Sequence, residues 1–259
     1  MSEPAGDRDE MNADDSIIEQ ADVETSSAGY ARRFSGPAGE WMLGVQEQLV
    51  KRALARCEVK TILDVGGGHG QLAPPLSASG YAVTVLGSPG SCGERLAQAV
   101  SDGCVHFMEG NVVALPVPDQ SFDAVVSVRL LPHCTAWQKL CAEMCRVARQ
   151  LVVLDYPTPQ SLNAIAPLFF GMKKKLEGNT REWRAFRHKE IAAELAGHGF
   201  AEANRFGQFF WPMALHRALG NPLLSRVLEW PPRITGLSRL LGSPVLLACK
   251  KSTQPASDE

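Results

Sequence analysis

The stretch ILDVGGGHGQL, residues 62–72, sets four glycines behind an acidic residue at the end of an apolar run. Glycines this dense let a ligand or another backbone come close. A dinucleotide-binding turn requires G-x-G-x-x-G, whose third glycine lets helix and strand pack closely. Gly66 and Gly68 meet the first two positions, but the third falls on Gln71. The spacing present is D-x-G-x-G-x-G, from Asp64 through Gly66 and Gly68 to Gly70. A carboxylate at a strand end accepts hydrogen bonds from an ammonium or from ordered water, and it repels a pyrophosphate. The ligand expected is a nucleoside that carries a positive centre.

Working outward, the pattern alternates strand and helix. KTILDV, YAVTVLG, CVHFMEG, FDAVVSV and QLVVLDYP read as strands, and residues 71–79, 94–100 and 137–148 as helices. Such repeats predict an α/β fold, a Rossmann-like doubly wound sheet that is mostly parallel. AEANRFGQFFW and SPVLLACKK are two final strands, the last antiparallel. Residues 1–27, polar and acidic, are expected to form a disordered tail, and residues 252–259 a second one. The main domain spans 28–251. Within it, 158–200 and 212–242 are expected as cap or insert segments, the second a set of short helices broken by prolines.

Composition narrows the function. The chain has 259 residues, 45% of them hydrophobic, and a formal net charge of −2. That suffices for one good-sized core and supplies no electrostatic pull toward nucleic acid, so no nucleic-acid partner is expected. No signal-peptide pattern or membrane-length apolar run is present, and a cytoplasmic location is expected. The seven cysteines show no CxxC spacing. They read as small buried hydrophobes, and no metal site is expected, although Cys141 and Cys145 fall on one helix face.

Taken together, ILDVGGGHG and GNVVALPVPDQSFDAVVSVRLLPHC, residues 110–134, resemble the class I S-adenosylmethionine-dependent methyltransferases. The resemblance covers roughly Thr61 to Pro157. It implies S-adenosyl-L-methionine as cofactor, with Asp64, Gly66, Gly67, Gly68 and Gly70 bordering its methionine end and Gly68 leaving room for it. It implies that Asn111 accepts from the adenine amino group, that the Val112 N–H meets a ring nitrogen, and that the Arg129 main chain meets the methionine amine. The family usually ends its second strand with an acid that grips the ribose; Gly87 stands there, followed by Ser88, so that either Ser88 and nearby backbone groups replace the carboxylate, the ribose is bound through water, or cofactor affinity is reduced. The transfer is expected to go to a small-molecule or hydrophobic acceptor. A non-catalytic binding or scaffold protein with weakened ribose recognition is the alternative, and a nicotinamide-dependent reductase is disfavoured by the glycine spacing.

Methyl transfer is an in-line displacement, for which the enzyme aligns an acceptor and sometimes removes a proton. His133 is the candidate base, or else a structural residue at a helix entrance. Tyr156 is expected to face the pocket or to close the core edge. Tyr30, Arg33 and Phe34 are candidates for a lid, with Arg32 and Arg33 otherwise a solvated pair. MKKKLEG reads as a solvated helix face. The leucine-rich and arginine-rich segment 212–242 is either a packed helical hairpin or an apolar, basic-rimmed surface for a hydrophobic acceptor or a peripheral membrane contact.

Overall fold

The computed structural model describes residues 17–162 and 184–252. The sheet has seven strands: β1 (Thr61–Val65), β2 (Ala82–Gly87), β3 (His106–Glu109), β4 (Phe122–Ser127), β5 (Ala148–Tyr156), β6 (Phe200–Gly207) and β7 (Val245–Lys251). Their order is β3-β2-β1-β4-β5-β7-β6. The first five pair in parallel, and β7 runs antiparallel between β5 and β6. Strand order reverses between β1 and β4, and ligands of such sheets bind beyond the strand C-termini at that point.

Each central strand is buried on both faces, which explains its run of Val, Ile and Leu. Alternate side chains divide between two cores. Leu63, Val125 and Leu154 pack with Trp137, Leu140, Ile191 and Leu195, whereas Ile62, Val126 and Val153 pack with Val50, Leu54, Leu76 and Leu96.

The described helices are α1 (Ala21–Thr25), α2 (Ala28–Ala31), α3 (Gly36–Leu54), α4 (Ala73–Ser77), α5 (Glu94–Ser101), α6 (Trp137–Val147), α7 (His188–Gly197), α8 (Met213–Leu219), α9 (Pro222–Ile234) and α10 (Leu237–Leu241). Three expectations change. The tail expected over 1–27 does not extend through residues 17–27: Ala21 and Asp22 in α1 are fully buried. The 158–200 segment is not cap throughout, because α7 buries Ile191 and Leu195 against α6 and the sheet and continues the strand–helix rhythm. The helices of 212–242 are separated by Gly220 and Gly236, both in the left-handed region, and not by prolines. Pro222 opens α9 behind the Asn221 side chain, which accepts from the Leu223 and Leu224 N–H groups, and Pro231 and Pro232 lie inside the helix. The expected tails over 1–16 and 253–259 and the MKKKLEG helix face lie outside the described residues.

Candidate active site

The glycine loop leaves β1 with Gly66 at φ +77° and Gly70 at φ +68°, conformations that side chains rarely adopt. A Cβ on Gly67 would strike the Asp64 carboxylate, and one on Gly68 would strike the Ser91 carbonyl. Gly68 therefore makes room for the loop after β2, whose Gly93 N–H donates to the Gly68 carbonyl at 2.8 Å.

Asp64 is 1% exposed, and its Oδ2 has no hydrogen-bond partner among the described residues. Burial pushes its carboxyl up to about 7, with the nearby Arg129 guanidinium opposing the rise. Arg129 sits just past β4 at φ +64°, strained for a residue with a side chain. Its main-chain N–H donates to Asp155 Oδ1 at 2.6 Å, so that N–H is spent within the protein. Its Nε and Nη1 are buried and unpartnered, and the guanidinium lies 4.7 Å from the Phe34 ring centroid and 5.6 Å from that of Tyr30. Asp64 and Arg129 face one crevice of about 20 Å³, closed on another side by Thr25. An unpartnered carboxylate oxygen and two unpartnered guanidinium nitrogens beside one crevice are suited to an ammonium and a carboxylate on one ligand.

The positions expected for the nucleoside are covered by the chain itself. The Asp22 carboxylate accepts from the Ser88 N–H at 2.6 Å and from the Ser88 hydroxyl at 2.8 Å. Asn111 Oδ1 accepts from the Glu19 N–H at 3.3 Å, and Asn111 Nδ2 donates to the Ile17 carbonyl at 2.8 Å. The Glu19 carboxylate accepts from the Thr135 N–H at 2.8 Å. Asn111 Oδ1 also takes the Val113 N–H at 3.2 Å, while Val112 is buried in the core beside it. Gly87 has a local explanation: a Cβ there would strike the Ser91 hydroxyl and meet the Phe107 ring at 3.3 Å. The carboxylate missing at that position is supplied to Ser88 by Asp22.

Beyond Thr25 and Arg129 lies a second cavity of about 570 Å³. Phe34, Met42, Leu43, Phe209 and Met213 form its apolar wall. Tyr30, Arg33 and Phe34 line it, and His133 faces it from the short 3-10 turn Leu131–His133, with its ring 6.2 Å from that of Tyr30. Tyr156 does not face it. Its hydroxyl is 2.7 Å from His188 Nδ1, and His188 Nε2 is 2.7 Å from Glu202 Oε2, on the opposite face of the sheet. Strand alternation brings Asp155 to the cavity instead.

Asp155 anchors a buried polar network absent from the sequence reading. Its Oδ2 accepts from Gln46 Nε2 at 2.7 Å and from Gln208 Nε2 at 3.0 Å, and Gln71 Nε2 donates to Gln46 Oε1 at 3.0 Å. Burial raises the Asp155 carboxyl, and these bonds together with Arg129 pull it down. The one signal that could have found it was Asp155 at a parallel-strand C-terminus, as Asp64 is. Cys141 and Cys145 are core residues whose thiols burial pushes up, Cys145 to about 12, which opposes thiolate ligation.

Known proteins resemble this chain over part of its length. A family model described as a methyltransferase domain matches residues 63–153. A demethylmenaquinone methyltransferase of Thermus thermophilus is 34% identical over 107 residues, 39% of this chain and 49% of that protein. A probable S-adenosylmethionine-dependent methyltransferase of Mycobacterium tuberculosis is 24% identical over 168 residues, 64% of this chain and 58% of its own length. The chain thus spans about half the length of these curated relatives. Among solved structures, magnesium protoporphyrin IX methyltransferase from Synechocystis, with bound SAH, superposes with a TM-score of 0.60 at 16% identity, over 88% of this chain and 96% of that one. A SAM-dependent methyltransferase of Thermotoga maritima gives 0.61 at 18% identity, over 90% and 99%. With this sheet order and this glycine loop, residues 63–153 match a methyltransferase domain, and the fold is similar to that of S-adenosylmethionine-dependent methyltransferases.

Proposed function

We propose that the protein transfers a methyl group from S-adenosylmethionine to a small, largely apolar acceptor held in the 570 Å³ cavity. One observation carries the reading: the unpartnered Asp64 Oδ2 and Arg129 Nε and Nη1 share a crevice that adjoins this cavity. The methionine end of the cofactor would pair with those atoms, its ammonium toward Asp64 and its carboxylate toward Arg129, once the crevice, which has room for about one water, opens toward the cavity. Bound there, the cofactor supplies an electrophilic methyl group on sulfur. Phe34, Met42 and Phe209 hold the acceptor by apolar burial and exclude water. His133 stands on the cavity wall as the group to take a proton from a hydroxyl acceptor. The names of the demethylmenaquinone methyltransferases among the relatives support a small-molecule acceptor.

At the nucleoside end, Ser88 and Asn111 fit only after residues 17–22 leave them, because Asp22 is in direct contact with Ser88. That occlusion favours one second reading, a binding protein that has kept the fold without turnover. To decide, the purified protein is incubated with methyl-labelled S-adenosylmethionine and a cell extract fractionated by polarity. Label entering an apolar small-molecule fraction supports transfer. Saturable binding of S-adenosylhomocysteine with no label transferred to any fraction supports the binding protein.

A further inference from the structure

Among the described residues, eight of the ten exposed large hydrophobic side chains fall between Leu223 and Leu241. On α9 they are ordered. Leu223, Val227, Trp230 and Ile234 follow the i, i+4, i+7 rhythm of a single helix face and are 66%, 61%, 64% and 64% exposed. The opposite face carries Ser225, Glu229 and Pro232, all buried. A helix on a water-facing surface turns its apolar stripe inward, and this one is inverted. The short α10 repeats the arrangement, with Leu237, Leu240 and Leu241 exposed and Ser238 buried.

The inward face explains how the helix is held without its leucines. Glu229 accepts from the Phe210 and Trp211 N–H groups, each at 3.0 Å, and its Oε1 is 3.0 Å from His216 Nε2. The helix's single acid is therefore consumed inside. The charges left outside are positive: Arg226 and Arg233, seven residues apart on one flank of the stripe, and Arg239 on α10 are all exposed. A continuous apolar stripe edged by arginines, with no exposed acid on either helix, is complementary to anionic headgroups above acyl chains. A second copy of the chain meets this face less well, since pairing the stripes would bring arginines of like charge together.

We propose that the outward face of α9 and α10 docks on an anionic lipid bilayer. The inference rests on this surface alone and holds whatever chemistry the cavity performs. Its geometric consequence is that α8, which supplies Met213 and Ala214 to the cavity wall and ends just before α9, lies beside the docked face.

The test is flotation of the full chain with vesicles of phosphatidylcholine alone or mixed with phosphatidylglycerol, at low and high salt. The expected result is partition about tenfold stronger on the anionic vesicles, weakened by salt. Replacing Val227 and Trp230 together by Ser should abolish the partition, and Arg226→Gln with Arg233→Gln should erase the preference for anionic lipid; both variants should keep the parent's unfolding midpoint. Acrylamide quenching of the parent against Trp230→Phe reports whether Trp230 is open in solution and shielded on vesicles. Three results overturn the proposal: equal partition of parent and Ser variant, a Trp230 already shielded without vesicles, or a concentration-dependent dimer that the Ser variant dissolves while vesicles bind neither protein.

Discussion

Replacing Asp64 by Asn should stabilise the free protein at neutral and alkaline pH while removing its affinity for the cofactor. The carboxyl is buried, has an unpartnered oxygen, and is displaced from 3.8 to about 7 by burial. Between those two values the folded protein keeps a proton that the unfolded chain has released, so stability falls as pH rises through that window. Above about 7 the penalty is complete. At 1.36 kcal/mol per decade of proton activity, the interval corresponds to roughly 4 kcal/mol, an upper bound because local relaxation admits water. Asn has the same shape and no charge to desolvate. Urea unfolding at about pH 4, where both proteins hold a neutral side chain, should give similar stabilities. At about pH 8 the variant should be more stable by as much as about 4 kcal/mol. Calorimetry with S-adenosylhomocysteine should then show tight binding by the parent and at least tenfold weaker binding by the variant, because the ammonium has lost its anionic acceptor. A variant less stable than the parent at about pH 8 would refute the burial argument, and unaltered affinity would remove Asp64 from the site.

Other outcomes follow from the same geometry. Asp22→Ala frees Ser88 and should strengthen S-adenosylhomocysteine binding about tenfold by calorimetry, since the ligand no longer displaces two charge-assisted hydrogen bonds; weaker binding would instead make Asp22 a ribose ligand. His133→Ala should lower the rate of transfer to a hydroxyl acceptor by about a hundredfold or more without altering cofactor affinity; unchanged turnover would leave His133 a structural residue. Glu229→Ala should cost about 3–5 kcal/mol in urea unfolding, because it strips two backbone N–H groups and His216 of their buried acceptor; a loss under about 1 kcal/mol would show that α9 is anchored otherwise.

The sheet was legible because buried parallel strands need unbroken runs of Val, Ile and Leu, and KTILDV, FDAVVSV and QLVVLDYP supply them between helical repeats. The glycine loop was legible for a related reason: few uses other than close approach justify so many glycines. The part played by residues 17–27 was not, since Asp22 and Glu19 look solvated until Ser88, Asn111 and Thr135 are brought to them from far along the chain. The two readings left open for Tyr156 needed the strand's phase to decide; the one-residue alternation that sends it to the core edge and His188 sends Asp155 to the cavity. The glutamines of the Asp155 network come from three separate elements, and no local pattern joins them. The inverted face of α9 was half legible: its leucines and arginines were visible, but which of them point outward depends on Glu229 being buried.

The most direct measurement is calorimetric titration of the full chain with S-adenosylhomocysteine and, separately, with NADH. One saturable site for S-adenosylhomocysteine is predicted, with no heat of binding for NADH and an added stability of about 2.7 kcal/mol when the ligand stands at about one hundred times its dissociation constant. Deleting residues 1–27 should tighten the interaction and preserve the single site. No binding of S-adenosylhomocysteine by either protein, or saturable binding of NADH at the same site, would contradict the assignment of the crevice between Asp64 and Arg129 to a methyl-donor cofactor.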